Sequence, residues 1–168
     1  MLNIINNLAP FFEDCYKRIS VREYAKMIKV SPPTASKILG GYHKEGLLKK
    51  QEERNYLFFF ANAENKSFID LSRIYWRNKL KELIESIEKT AVTPAIILFG
   101  SLSKGEATSS SDIDLAIISS RKEINLENFE KSLKREIQLF WFDSFAKISE
   151  ELKNNILNGY VLSGRIKV

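Results

Sequence analysis

The segment 95–114 constrains the fold more than any other part of this 168-residue sequence. It opens with five consecutive apolar residues, Ala95–Phe99, and such a run is typical of a strand that is buried on both faces. Gly100 follows, and a glycine lets the backbone turn sharply and come close to a ligand. Ser101 then opens a predicted helix. The free backbone N–H groups of its first turn, with the serine hydroxyl, suit a phosphate.

Two aspartates, Asp112 and Asp114, stand at the start of a second predicted strand, residues 112–119. Side chains two positions apart on a strand point to one face, so both carboxylates are expected side by side. Carboxylates held together repel each other, and a divalent cation relieves that repulsion. Because Mg²⁺ is bound in proteins by a few carboxylate oxygens together with substrate phosphates and water, we interpret the pair as ligands of Mg²⁺ (or Mn²⁺).

The pattern Gly-Ser, ten residues, then Asp-x-Asp resembles the signature of the minimal nucleotidyltransferases of the DNA polymerase β superfamily. Gly100-Ser101 and Asp112-Ile113-Asp114 match it without a gap. Lys104-Gly105-Glu106 and Ser111 resemble the residues usual inside that spacer. The resemblance covers the sequence from roughly residue 80 onward.

The resemblance implies a reaction as well as a site. Gly100 and Ser101 would hold the triphosphate, and Asp112 and Asp114 would bind two Mg²⁺ ions. A nucleoside monophosphate would pass from an NTP, with ATP as the first choice, to a hydroxyl of a protein or nucleic acid, and pyrophosphate would be released. Lys104 either adds a positive charge near the phosphates or is a solvated loop lysine. The alternative interpretation is an ordinary serine-rich loop followed by a solvated acidic strand edge.

One position departs from the resembled pattern. Members of the superfamily carry a third aspartate near the start of a later strand, where it helps to activate the acceptor hydroxyl. The matching strand is predicted at 137–142, and the aligned residue is Gln138, whose neutral amide can neither act as a base nor bind a metal strongly. Asp143 lies in the opposite phase at the end of that strand, which makes it a poor substitute. Activity is then slow, dependent on another carboxylate such as Glu106, or lost.

The N-terminal third has the element order of a helix-turn-helix followed by a hairpin. A capping-box pattern at Ser20 and Glu23 starts one predicted helix, and Ser31-Pro32 starts a second. Two short extended runs on either side of a polar turn, 51–55, predict a β-hairpin. Residues 20–61 resemble the winged helix-turn-helix family.

The predicted fold class is α+β: an N-terminal winged helix-turn-helix followed by a small polymerase β-like nucleotidyltransferase domain that has a mixed sheet with flanking helices. A polar patch ends the first domain, which gives a DNA-binding domain at 1–66 and a nucleotidyltransferase domain at 67–168. Residues 67–90 are expected to form one connecting helix, because their apolar residues recur close to helical spacing. Further helices are predicted at residues 2–16, 126–136 and 149–158.

The first domain is expected to bind DNA. In a winged helix-turn-helix the third helix enters the major groove and the wing touches the backbone. Residues 1–66 also carry most of the positive excess, with 11 Lys/Arg against 7 Asp/Glu, which suits a polyanion. The residues expected to contact DNA are Pro33, Thr34, Ser36 and Lys37 on the helix and Lys49, Lys50 and Arg54 on the wing. The alternative is a role in protein contacts or dimerisation, because the helix is poor in base-reading side chains.

Composition excludes several classes of protein and site. No stretch of about 18 apolar residues occurs, so no membrane span is expected, and the first residues lack the basic segment of a secretory signal. Cys15 is the only cysteine and His43 the only histidine, so the sequence cannot supply a dedicated Cys/His zinc site. A reduced, cytoplasmic protein is expected. The helix at 67–90 either supplies a homodimer interface or packs within the chain.

Three functions stand as hypotheses. The first, which we favour, is a DNA-binding nucleotidyltransferase that modifies a protein, as antitoxin-like members of the superfamily modify a toxin. The second is a transcription regulator whose degenerate transferase domain senses a nucleotide without catalysis. The third is an enzyme that modifies nucleic-acid ends. Gln138 favours the second, whereas the intact Gly-Ser and Asp-x-Asp residues favour the first or the third.

Overall fold

The computed structural model describes residues 2–92 and 94–166. The helices are α1 (Leu2–Glu13), α2 (Val21–Met27), α3 (Pro32–Lys44), α4 (Lys66–Lys79), α5 (Lys81–Thr90), α6 (Gly100–Lys104), α7 (Glu127–Leu133) and α8 (Glu150–Leu157), with a short 3-10 helix at Phe145–Lys147. The strands are β1 (Ile19–Ser20), β2 (Leu48–Glu53), β3 (Tyr56–Ala61), β4 (Ala95–Phe99), β5 (Ile113–Ile118), β6 (Ile137–Phe142) and β7 (Tyr160–Ser163). None of the described helices is long and apolar enough to cross a membrane.

The chain divides into two compact units. The first comprises Met1–Ser72 and Gly105–Ser109, and the second comprises Arg73–Lys104 and Ser110–Val168. Each unit has its own sheet, three-stranded in the first and four-stranded in the second.

The first unit combines the helices α1 to α3 with an antiparallel sheet in the order β1-β3-β2. Both predicted helix starts are confirmed. Ser20 and Glu23 form a capping box before α2, and the Ser31 side chain accepts a hydrogen bond from the backbone N–H of Thr34 at the start of α3. Large side chains that are fully buried in this unit are Leu8, Phe11, Phe12, Ile19, Tyr24, Leu39, Leu48 and Phe68.

Two boundaries in the first unit differ from the prediction. The hairpin turn is narrower than 51–55, because β2 and β3 stay paired as far as Glu53 and Tyr56. Only Arg54 and Asn55 remain in the turn, and their φ values of 47° and 66° suit the twist of a two-residue hairpin connection. The first helix ends at residue 13 rather than 16, because Asp14 Oδ1 accepts hydrogen bonds from the backbone N–H groups of residues 16 and 17.

The second unit is built on a mixed sheet in the order β6-β5-β4-β7, in which only β5 and β6 are parallel. The predicted mixed sheet with flanking helices is therefore confirmed. One face of this sheet is closed by an apolar cluster of buried side chains: Ala95, Ile97, Phe99, Ala116, Phe145, Ile148 and Ile156. Sequence analysis missed β7, because its four residues are too few to show an alternating pattern.

Two predicted helices of the C-terminal region have different bounds. The expected single helix at 67–90 is two helices, α4 and α5, which meet at Leu80 with φ −89° and ψ 4°. The break leaves no trace in the sequence, because it needs no proline or glycine and the buried residues Trp76, Leu80 and Leu83 keep helical spacing across it. The helix predicted at 126–136 is shorter, since Lys134 adopts a left-handed conformation (φ 55°) and ends α7.

Candidate active site

The pairing of β4 with β5 brings the two halves of the sequence motif together. Phe99, the last residue of β4, is the register partner of Asp114 on β5. Gly100 follows with φ 72°, a conformation that favours glycine. A side-chain carbon at Gly100 would overlap Asp114 Oδ2. The glycine therefore allows the backbone to approach the Asp114 carboxylate. Its expected approach to a ligand stays a prediction.

Hydrogen bonds from two side chains hold α6, the short helix that starts at Gly100. The buried Ser103 hydroxyl donates to the Gly100 carbonyl at 2.9 Å. The Arg73 side chain on α4 donates through Nε to the Ser103 carbonyl at 2.8 Å. Ser101 lies half-buried in this helix, and Lys104 is exposed at its end. The first bond closes the helix on itself, and the second ties its C-terminal part to α4.

Asp112 and Asp114 are half-buried and lie on one face of the sheet, as their spacing predicts. Burial raises the pKa of the Asp114 carboxyl above its usual value, and the nearby charge of Asp112 raises that pKa further. Both causes act against the ionised form of Asp114. A divalent cation on the two carboxylates would oppose both effects, so the donor set fits such a cation.

Gln138 lies beside these carboxylates. In the parallel pairing of β5 with β6 it is the register partner of Asp114, so the two side chains share a face. Its Nε2 donates a hydrogen bond of 2.8 Å to Asp112 Oδ2. Asp143, which follows β6 at its other end, forms an ion pair with Lys147 at 2.8 Å. Gln138, which the resemblance puts in the place of a third aspartate, is thus hydrogen-bonded to Asp112, whereas Asp143 is paired with a lysine.

Arg135 is a further residue of this region, and sequence analysis missed it. The side chain is buried, and its Nη1 donates to the Ser111 carbonyl at 2.5 Å, immediately before Asp112. The guanidinium also lies over the Trp76 ring, 5.1 Å from the ring centroid. Arg135 thereby fixes the chain that leads into the first aspartate. An arginine within a charged stretch of sequence gives no sign that it is buried.

Carboxylates are few at this site. Among residues 2–92 and 94–166, no group of three or more His, Cys, Asp or Glu side chains is positioned to hold a metal ion. The predicted ligands Asp112 and Asp114 form a pair, and the Gln138 amide is hydrogen-bonded to Asp112.

The residues that were predicted to contact DNA lie in the first unit. Pro33, Thr34, Ser36 and Lys37 are exposed on α3, and Lys50 and Arg54 are exposed on the hairpin. Lys49 forms an ion pair with Glu64 at 3.0 Å. On the same hairpin Glu53 pairs with Arg18 at 2.8 Å. Acidic partners thus offset part of the positive charge of this surface.

Comparison with known proteins identifies the class of the second unit. The family described as "Polymerase beta, Nucleotidyltransferase" matches residues 78–165, just over half of the chain. The chain therefore belongs to this family of nucleotidyltransferases, and the predicted resemblance from residue 80 onward is confirmed. A search of curated proteins finds no match.

One solved structure that resembles the chain is described as "Crystal structure of the toxin-antitoxin with AMP-PNP". The similarity covers 53% of this chain and 73% of that chain, with 24% sequence identity and a TM-score of 0.41. The assignment of the family depends on the match over residues 78–165 and not on this partial likeness.

Proposed function

We propose that this chain is a nucleotidyltransferase that transfers a nucleoside monophosphate from an NTP, preferably ATP, to a hydroxyl group. One observation carries the proposal: the Gly100 backbone lies directly against the carboxylate of Asp114, and Asp112 lies on the same face. The turn proposed to bind phosphate and the pair proposed to bind a cation are thus neighbours, which supports a single site. Nucleotidyltransferase domains of this family generally use an NTP and a divalent metal, in agreement with that arrangement.

Each residue of the site has a proposed role. The backbone of Gly100 and the hydroxyl of Ser101 bind the triphosphate, and Lys104 adds a positive charge near it. Asp112 and Asp114 hold a divalent cation, Mg²⁺ or Mn²⁺, which neutralises charge on the phosphate oxygens when bound. Arg135 positions Asp112 through the Ser111 carbonyl.

The reaction follows from these roles. The acceptor hydroxyl oxygen bonds to the α-phosphorus, the bond from that phosphorus to the β-phosphate oxygen breaks, and pyrophosphate leaves. The hydroxyl proton passes to solvent or to a base on the acceptor, because the Gln138 amide cannot take it. From the superfamily resemblance, the favoured acceptor is a hydroxyl on a protein partner such as a toxin.

The test is a calorimetric titration of ATP into the protein with Mg²⁺, followed by a pyrophosphate-release assay with candidate acceptors. The wild type is expected to bind ATP only with the metal, and the double variant Asp112→Ala/Asp114→Ala to lose that binding. Asp143→Ala is the matched control, since it removes an exposed carboxylate of the same unit that pairs with Lys147. Absence of metal-dependent ATP binding in folded wild type would refute the proposal.

A second candidate is a regulator that binds DNA through the first unit and senses the nucleotide without transfer. The neutral amide of Gln138 beside the two aspartates favours it, as do the exposed cations Lys37, Lys50 and Arg54. Under this proposal residues 1–66 are a winged helix-turn-helix domain that binds as a homodimer, and residues 67–168 are the nucleotide-binding domain. ATP binding without pyrophosphate release, with every acceptor tried, would favour this candidate over the enzyme.

A further inference from the structure

We infer that the site holds one divalent cation with each bound nucleotide, not two, and that Gln138 sets this number. The inference rests on the proposed function, since it concerns the same nucleotide site. It departs from the two ions that the superfamily resemblance implies.

The supply of carboxylate oxygens is the first part of the argument. A pair of cations about 4 Å apart needs anionic oxygens that reach both ions. Among the described residues only Asp112 and Asp114 offer them at this site, since no group of three acidic or other metal-binding side chains occurs. Of their four oxygens, Asp112 Oδ2 accepts the Gln138 hydrogen bond and Asp114 Oδ2 faces the Gly100 backbone. These two oxygens keep lone pairs, but their surroundings leave the other two oxygens as the ones with most room for a cation, and one cation completed by phosphates and water fits them.

The orientation of Gln138 is the second part. Because Gln138 is the register partner of Asp114, its side chain stands where a third ligand on this face would have to be. It presents an N–H group to Asp112, and an N–H group repels a cation. Rotation of the amide would offer a neutral carbonyl oxygen, but it would break the bond to Asp112. A carboxylate at position 138 would instead add an anionic ligand on the face that carries both aspartates.

The experiment counts Mn²⁺ ions on the full chain with α,β-methylene ATP, an analogue that cannot release pyrophosphate. Equilibrium dialysis, with manganese measured by atomic absorption and nucleotide by its ultraviolet absorbance, gives the number of ions for each bound nucleotide. The wild type is expected to bind one. Gln138→Asp and Gln138→Glu are expected to bind two, and either variant suffices if the other fails to fold.

Two controls separate the added charge from the lost hydrogen bond. Gln138→Met removes the donor without adding a carboxylate and is expected to stay at one ion. Gln51→Glu makes the same change in charge at an exposed position of the hairpin, in the other unit, and is also expected to stay at one.

The outcomes distinguish this inference from the function on which it rests. Two ions on the wild type would overturn the inference and leave the proposed function standing. If Gln138→Asp and Gln138→Glu both bind nucleotide but still hold one Mn²⁺ ion each, position 138 does not set the number of cations. If wild type binds no nucleotide at all, the proposed function fails and the inference fails with it.

Discussion

The charged groups of the two units are held in different ways. On the hairpin of the first unit, the ion pairs Arg18–Glu53 and Lys49–Glu64 are solvent-exposed, with side chains that are 39% to 84% accessible. In the second unit, hydrogen bonds and backbone contacts hold Asp112 and Asp114 at the ends of paired strands. Exposed pairs contribute about 0–1 kcal/mol and are easily exchanged for a phosphate. The carboxylates of the proposed nucleotide site are therefore held in place before any ligand binds, whereas the surface of the first unit can rearrange its ion pairs at little cost.

A pair of glycine substitutions gives the largest expected contrast between the units. Gly100→Ala is expected to lower ATP affinity more than tenfold and to destabilise the protein by about 2 kcal/mol or more, because a side chain there meets positive φ and the Asp114 carboxylate. Gly41→Ala on α3 is expected to stabilise by about 0.5–1 kcal/mol, since nothing lies within 4 Å of the added carbon. Denaturant unfolding and ATP titration measure both. Equal changes in stability and ATP affinity for the two substitutions would contradict the expected contrast between the two units.

The glycine comparison also shows how far sequence reasoning reaches. The role of Gly100 as a tight turn and the shared face of Asp112 and Asp114 follow from local spacing and strand periodicity. Each needs only the geometry of a single strand or turn. For the same reason, the capping residues of the first unit could be predicted from four-residue patterns.

Other features depend on partners that lie far apart in the sequence. The hydrogen bonds from Arg73 to Ser103 and from Arg135 to Ser111 connect residues separated by 30 and 24 positions. Burial of Arg135 is decided by the packing around Trp76 rather than by its neighbours in sequence. The conformation of Leu80, which divides α4 from α5, likewise has no local signal. The spacing of apolar residues therefore predicts helices and strands, but it does not predict which side chains hold them together by long-range hydrogen bonds.

Removal of the Arg135 brace is expected to have the next largest effect. Arg135→Met should destabilise the protein by about 1–3 kcal/mol, because the Ser111 carbonyl loses a charged donor. It should also weaken Mg²⁺-dependent ATP binding through Asp112. Arg135→Lys keeps the charge but not the planar group over Trp76, and an intermediate result is expected. Arg121→Met, at an exposed position of the same unit, is the control. If ATP affinity does not change while stability falls, the brace has no role in positioning Asp112.

A smaller effect is expected at the hairpin of the first unit. If this unit binds DNA, Lys50→Ala should weaken binding to all sequences alike and reduce the slope of log affinity against log salt by about 1. Lys49→Ala should change the slope less, because Lys49 already has Glu64 as a partner. Fluorescence anisotropy with a labelled duplex at several salt concentrations measures both slopes. Identical slopes for wild type and Lys50→Ala would remove Lys50 from the DNA-binding surface.

The smallest expected effect is the loss of folding stability caused by ionised Asp114 when no cation is bound. Its pKa is raised in the folded protein by burial and then by Asp112, so between the ordinary pKa and the raised one the folded state binds more protons than the unfolded chain. The stability that protonated Asp114 contributes is fully present below the pKa of an ordinary aspartate. It is lost as the pH rises through the raised pKa of Asp114 in the folded protein.

Asp114→Asn imitates the protonated form and should make the protein more stable than wild type at pH 7–8 in a chelator, by less than about 1 kcal/mol after solvent screening. The difference should shrink as pH falls towards 4. Thermal unfolding from pH 4 to 8 measures it. Asp143→Asn, at a carboxylate paired with Lys147, should show no such gain. A gain in stability for Asp143→Asn but none for Asp114→Asn would mean that Asp112 and Asp114 do not repel each other in the folded protein. The charged groups of the two units would then differ less than their contacts indicate.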